Sequence, residues 1–348
     1  MKYEVYDPFM EERNMKKLSK STALTLAVTM ALTLSACGSS DTGTAPEHTT
    51  SAGDNGTYTV GICQLVQHTA HDAATQGFMD ALNEALPGQV TFSNQVASND
   101  IAACSGIVNQ FIAEEVDLIL ANATPALQIA SAATAEIPIL GTSVTDYGAA
   151  LGIEDFDGLV GGNISGTSDL APLDKQAAMI HEWFPDAEAV GLLYCSAEAN
   201  SEYQVNAVKR QLETMGYTCK NYSFTDSNDL TSVLEGAVAN CDVIYVPTDN
   251  TVAANSNIID NICRPADIPV IGGEKGICSS CTVATLSITY YDLGVATGKM
   301  AAKILTGEAD ISTMPIEYAD YSSMYNPEIC ADLGLTPPST AYVAIDAA

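Results

Sequence analysis

From Tyr58 onward, short apolar runs alternate with longer segments in which apolar residues recur every three or four positions. The runs at 59–64, 90–95, 118–121 and 139–141, and then 189–194, 218–223, 243–247, 270–272 and 284–288, are short and mostly lack polar alternation. Runs of that kind predict parallel strands covered on both faces. Between them the spacing predicts a helix over 72–85, burying Ala73, Phe78, Ala81 and Leu82, and another over 102–115, burying Ile107, Val108, Phe111 and Ile112. Further helices are expected over 173–183, 201–215, 229–239 and 293–305, with Pro87-Gly88, Pro185, Gly216 and Gly307 as punctuation. Strand and helix in alternation imply a doubly wound parallel α/β sheet. The series occurs twice: Glu136-Ile137-Pro138-Ile139-Leu140-Gly141 in the first half is matched by Asp267-Ile268-Pro269-Val270-Ile271-Gly272 in the second. Two similar lobes are therefore expected, joined by a glycine-rich polar connection over 158–169. In such sheets ligands bind beyond the carboxyl ends of the strands, so two facing lobes would enclose a cleft lined by those loops.

The segment before Tyr58 has a different pattern. Met15-Lys16-Lys17-Leu18-Ser19-Lys20 is basic, residues 23–34 are apolar, and Leu34-Ser35-Ala36-Cys37-Gly38 follows. A basic start, a short apolar stretch and small residues before a cut describe a secretory signal. Leu-Ser-Ala-Cys resembles a bacterial lipobox, which implies cleavage after residue 36 and lipidation of Cys37. An ordinary signal peptide with a chance cysteine is the alternative. The acids among residues 1–14 fit no basic leader, so translation is expected to start at Met15. Residues 37–57, rich in Ser, Thr, Gly and Asp, read as a flexible tether.

Composition narrows the function. The chain has 348 residues, 47% hydrophobic and 16% charged, with a formal charge of −30. A buried core is within reach, and so acidic a surface excludes a nucleic-acid binder. It also repels anionic lipid, so membrane attachment would come from acyl chains. Ten cysteines are present, nine of them beyond Cys37. That odd, scattered set argues against a disulfide framework, and most members sit in apolar runs as small hydrophobes. Cys278-Ser279-Ser280-Cys281 is the one tight pair, expected as a local disulfide or two buried thiols.

The loops after the strands carry the candidate chemistry. Gln64 and His68 follow the first strand, Thr124 the third, Thr145 and Asp146 the fourth. Thr167, Ser168 and Asp169 lie in the connection. Asn200, Ser201, Asp249, Asn250 and Glu274 occupy the matching loops of the second half. Hydroxyls and helix-terminal amides hold a carboxylate, whereas Asp and Glu hold an ammonium; the combination suits a zwitterion. The same residue types also serve as helix N-caps. His68, His71 and Asp72 offer metal-type ligands, but reading His71 and Asp72 as the start of a helix is simpler. No G-x-S-x-G, H-E-x-x-H or glycine-rich phosphate loop is present, so neither catalytic residues nor a cofactor are expected.

Thr145-Asp146, Gly162-Asn163-Ile164-Ser165-Gly166-Thr167-Ser168-Asp169, Glu198-Ala199-Asn200-Ser201, Tyr245-Val246-Pro247-Thr248-Asp249-Asn250 and Tyr290-Tyr291-Asp292-Leu293-Gly294 together resemble the TrpX-type substrate-binding lipoproteins of ABC transporters. The similarity runs in order through nearly all of 58–320. It implies a periplasmic-binding-protein type I fold, with two Rossmann-like lobes joined by a multi-strand hinge. On that fold residues 58–163 and 286–320 form the first lobe, and 164–285 and 321–345 the second. The resemblance also implies an extracytoplasmic monomer, anchored through Cys37, that captures a small solute. It would deliver that solute to a permease driven by a cytoplasmic ATPase. Relatives are commonly assigned to tryptophan or tyrosine. On this reading Asp249, with Asp146, would hold the ammonium, and Thr124, Thr145 and Ser168 the carboxylate. Tyr147, Tyr203, Tyr290 and Tyr291 would form an aromatic wall or belong to the core. Two departures stand out: Gly272-Gly273-Glu274-Lys275-Gly276 replaces an acidic, serine-containing loop, and His68 and His71 replace a His-Pro-Ala-Leu pattern. A lipid-anchored sensor subunit, or a binder of a nucleoside or sugar, is the alternative.

Overall fold

A computed structural model of the chain describes residues 57–345. The expected signal segment, Cys37 and the tether up to residue 56 lie outside them. The first run of elements is β1 (Tyr58–Gln64), α1 (Thr69–Ala85), β2 (Val90–Val96), α2 (Ile101–Ala113), β3 (Leu118–Asn122), α3 (Thr124–Ala133), β4 (Ile139–Val144), α4 (Tyr147–Leu151) and β5 (Ile164–Ser168). The second is α5 (Leu173–Trp183), β6 (Ala189–Cys195), α6 (Ala199–Thr214), β7 (Thr218–Phe224), α7 (Ser227–Val238), β8 (Val243–Val246), α8 (Asn250–Ala254), α9 (Ser256–Cys263), β9 (Val270–Gly272), α10 (Lys275–Cys281) and β10 (Ala284–Ile288). The chain closes with α11 (Tyr290–Leu305), β11 (Glu317–Tyr318), β12 (Tyr321–Tyr325), α12 (Pro327–Asp332) and β13 (Val343–Ala344).

These strands make two sheets, ordered β11-β5-β4-β3-β1-β2 and β13-β12-β10-β9-β8-β6-β7. All pairings between named strands are parallel except β10 with β12. Central strands such as β3, β4 and β8 are buried throughout, whereas the edge strands β2 and β7 keep exposed positions. That is the reason continuous apolar runs mark the middle of each sheet. Each sheet is covered on both faces. In the first lobe Phe111 and Leu127 fill one side, and Phe78, Leu82, Met300 and Ile304 the other. In the second, Val205, Leu212 and Tyr245 oppose Leu230, Leu234 and Ile277.

The chain passes between the sheets three times: after β5, between β10 and α11, and between β11 and β12. Two lobe boundaries differ from expectation. Ile164–Ser168 pairs with β4 and β11, so it belongs to the first sheet rather than the second. Residues 286–288 belong to β10 in the second sheet rather than to the first lobe. β5 reads as a polar connection because its sequence is Ile-Ser-Gly-Thr-Ser, yet all five residues are buried. Its hydroxyls find partners far along the chain: Ser165 Oγ donates to the Met314 carbonyl at 3.0 Å, and Thr167 Oγ1 lies 2.8 Å from Thr297 Oγ1.

Close approach of α11 to α1 depends on glycine. A methyl group on Gly294 would collide with the Ala74 carbonyl oxygen, and one on Gly77 with that of Tyr291. Gly294→Ala is therefore expected to cost roughly 1–3 kcal/mol by overpacking. Gly106→Ala, on α2 where the methyl meets open space, should be neutral or stabilising. Thermal melts of the two variants check this; equal melting temperatures would mean the helices slide apart at no cost.

Candidate functional site

The carboxyl ends of both sheets face one cleft, and the lobes already touch across it. Asn99, after β2, donates from Nδ2 to Thr251 Oγ1 of α8 at 3.1 Å. Gln204 of α6 reaches Thr145 Oγ1, after β4, at 3.4 Å. Both bonds join residues of opposite lobes, so this is a closed clamp.

On the second-lobe side, the buried Glu198 organises the loops. Its Oε1 accepts from the Thr251 amide at 2.9 Å and hydroxyl at 2.7 Å. Its Oε2 accepts from the Asn250 amide at 2.9 Å and Nδ2 at 2.6 Å. Asp249 lies beside it, with Oδ2 taking the Cys195 amide at 2.7 Å and Oδ1 the Val252 amide at 2.9 Å. Burial, and then the Glu198 charge, push the Asp249 carboxyl up to about 7. Asp249 thus ties the end of β6 to the start of α8 within its own lobe. The sequence expectation gives it an ammonium to hold; in the structure its two oxygens accept from backbone amides inside the lobe. Asp146 is likewise a cap: its Oδ1 accepts from the Ala149 amide at 2.7 Å, and it lines an open hollow with Tyr203 of the second lobe.

A second acidic group is different. Asp169, just after β5, is 5% exposed, and its Oδ2 accepts from the Tyr290 hydroxyl at 2.9 Å. Its Oδ1 is buried with no partner in good hydrogen-bond geometry, although the Thr145 side chain is near enough to help stabilise its charged form. Burial raises its carboxyl above the usual range. Glu274 is near enough for Asp169 to act on its charge; burial chiefly pushes Glu274 up to about 7. Its oxygens cap α10, taking the Gly276 and Ile277 amides, both at 2.5 Å. Glu274 and Tyr290 also line a largely apolar groove of about 450 Å³ between α1, α10 and α11, with Ala70, Ala73, Ile288 and Tyr291.

Further unpartnered atoms occur in the cleft loops: both ring nitrogens of His68, Thr124 Oγ1, Ser143 Oγ and Asn200 Oδ1. Buried polar groups normally find partners; Asn122 Oδ1, Trp183 Nε1 and Thr285 Oγ1 are the other unpartnered buried atoms among the described residues. Backbone strain occurs in the same cleft loops. Ala123 and Ser143, at the ends of β3 and β4, have φ of 107° and 53°, conformations that non-glycine residues adopt only where the surroundings impose them. His68 stacks on His71 with ring centroids 3.9 Å apart. Burial pushes His68 down to about 4; burial, reinforced by His68, pushes His71 well below its usual range. Both imidazoles are thus neutral at pH 7; His71 donates its N–H from Nδ1 to the Val66 carbonyl at 3.2 Å, and His68 keeps one N–H to donate. Asp72 accepts from Gln64 Nε2 at 2.7 Å, and among the described residues no three His, Cys, Asp or Glu converge on a metal position.

The other sequence candidates have internal duties. Gln64 bonds Val66, Asp72 and Thr75. Thr167 faces Thr142 and Thr297. Ser168 Oγ donates to the Thr145 carbonyl and accepts from the Leu170 amide. Ser201 is fully buried, and Asn250 is held by Glu198. Tyr147 is core, its hydroxyl donating to the Thr167 carbonyl. Cys278 and Cys281 are buried free thiols on α10, donating to the Thr282 and Ile277 carbonyls. Sequence reasoning missed Asn99, Gln204 and Thr251, since nothing local shows that a mid-helix Gln reaches the opposite lobe.

Two α/β lobes crossed three times by the chain, with unpartnered polar groups buried between them, define a two-lobed solute-binding clamp. Residues 59–346 match the family described as ABC transporter substrate binding protein, and the chain belongs to that family. It is a substrate-binding protein of an ABC transporter, and such proteins act outside the cytoplasm. Among curated relatives, the tyrosine-binding protein of Clostridioides difficile is 31% identical over 311 residues, covering 88% of this chain and 89% of its own. A solved Streptococcus pneumoniae ABC domain in complex with L-Trp superposes with a TM-score of 0.79 at 29% identity, covering 83% of this chain and all of that one. The ligand-free, open structure of a Clostridium difficile substrate binding protein with adhesive properties is 36% identical over the same coverage, yet its TM-score is 0.63. The more identical chain superposes less well.

Proposed function

We propose that this protein captures an aromatic amino acid between its lobes and hands it to a membrane permease driven by a cytoplasmic ATPase, without chemical turnover. The observation that carries the reading is the buried, half-satisfied carboxylate of Asp169 beside Tyr290 in a closed cleft. An ammonium group supplies the missing donor and neutralises the charge; Glu274 adds a second negative group and Asn200 Oδ1 a neutral acceptor. His68 and Thr124, with the amides at the start of α3, offer donors to the carboxylate. The apolar groove that runs from Tyr290 suits an aromatic ring, and the names of the tyrosine-binding relative and the L-Trp complex support that choice. Ligand that contacts both lobes favours the closed form, which the permease would recognise. Cys37 would carry the acyl chains that keep the protein at the membrane.

Isothermal titration of residues 38–348 against L-Trp, L-Tyr and L-Phe, with nucleosides and sugars in parallel, tests this. Affinity should rise between pH 5.5 and 7.5. Ammonium binds the charged form of a carboxyl; Asp169 is held above its usual range and Glu274 up to about 7, so each pH unit below 7 costs at most about tenfold for Glu274. Proton release on binding should accompany it. Binding of a nucleoside or sugar, with none of any amino acid, overturns the reading.

A further inference from the structure

We propose that Cys63 and Cys104 form a disulfide that ties the end of β1 to the start of α2 once the chain reaches an oxidising compartment. Their sulfurs lie 3.8 Å apart, 41 residues distant in sequence, and both residues are fully buried. Five other thiols donate to oxygen: Cys195, Cys241, Cys278, Cys281 and Cys330. Among the described residues, only Cys63 and Cys104 place sulfur against sulfur within hydrogen-bonding distance. A bond of about 2.05 Å requires the sulfurs to close by roughly 2 Å, within reach of small side-chain rotations. The Cys63 thiol donates to Cys104, which holds Cys104 below the usual thiol range and raises Cys63. The oxidant is a disulfide, R–S–S–R. The Cys104 thiolate attacks one sulfur and expels one thiol; the Cys63 thiolate then attacks the mixed disulfide at Cys104 and expels the second. Two protein thiols are oxidised and one external disulfide is reduced to two thiols. Because both sulfurs are enclosed in the finished fold, the exchange belongs to folding after export.

The position bears on the clamp. Gln64 and Leu65, which follow Cys63, accept from the Ala97 and Asn99 amides at 2.9 and 2.8 Å, and Asn99 is the residue that meets Thr251 of the other lobe. The bridge would pin both loops against which the second lobe closes.

The test is to refold the reduced chain in a mixture of reduced and oxidised glutathione, denature it in excess iodoacetamide without reductant, and map the peptides. The expected result is a Cys63–Cys104 cross-linked pair, lighter by about 2 Da than the two thiols, that reductant separates. The oxidised protein should melt about 5–10 °C above the reduced one. Cys104→Ala and Cys63→Ala should each abolish the cross-link and remove the redox difference in melting. Recovery of both cysteines fully alkylated from the wild type overturns the proposal, and so does a bridge between other cysteines in their place.

Discussion

Replacing Asp169 by Asn is expected to weaken binding of an aromatic amino acid by a factor of about 10²–10³, while the ligand-free protein becomes no less stable. Removing one partner of a buried ion pair costs about 3–5 kcal/mol, and each 1.4 kcal/mol is about tenfold in affinity. Without ligand the balance reverses. Burial raises the Asp169 carboxyl, so its folded value lies above its unfolded value. Such a group contributes stability that is fully present below the unfolded value and is lost as pH rises through the folded one. Wherever Asp169 is charged it is a burden in the empty clamp, and the neutral amide removes it. The Tyr290 hydroxyl keeps an acceptor in the Asn carbonyl. Titration calorimetry and melts at pH 5 and 7.5 read both effects. Unchanged affinity would show that the ammonium sits elsewhere; a large loss of ligand-free stability would show that Asp169 is structural.

Glu198→Ala should lower stability by about 3 kcal/mol, a melting shift of roughly 6–12 °C, and abolish measurable binding in the micromolar range. Four donors from Asn250 and Thr251 converge on its carboxylate. Hydrogen bonds to a charged group contribute about 1.5–3 kcal/mol each, and a few degrees accompany each kcal/mol in a protein of this size. The loss is smaller than the sum for two reasons. Water can enter the vacated space, and Asp249 is relieved of a neighbouring charge that helps to hold it up at about 7. Binding suffers more than stability because the start of α8 meets the first lobe through Thr251. Glu198→Gln, which keeps the volume and one acceptor oxygen, should fall between the two. An alanine variant that melts like the wild type and binds normally would show that α8 holds itself in place.

Much of this was legible in the chain. Continuous apolar runs separated by amphipathic segments marked β1 to β4 and β6 to β10, because strands buried on both faces leave no polar alternation. The paired Ile-Pro strands exposed the two-lobe repeat. The edge strands β2 and β7 were found despite their exposed positions, but β5 and the closing strands escaped. β5 is polar yet buried, β11 and β13 are two residues long, and β12 is part-exposed and pairs antiparallel. Their stability comes from neighbours distant in sequence, such as the Thr297 hydroxyl that meets Thr167. The site was half legible. Strand-end position singled out His68, Thr124, Asp169 and Asn200, which keep unpartnered atoms, and with them Gln64, Thr167, Asp249 and Glu274, whose polar atoms bond within their own lobes; Tyr290 came from the family resemblance.

Periodicity, the internal repeat and the polar strand ends thus determined fold class and the region of the cleft, because burial on a sheet and capping of a helix are local demands written into neighbouring residues. Which carboxylate keeps a free oxygen, which thiols meet and which side chains span the lobes were decided by tertiary structure alone. Hydrogen-bond capacity is finite and is shared among groups that only the fold brings together, so both Asp249 oxygens meet amides while Asp169 keeps an unpartnered oxygen.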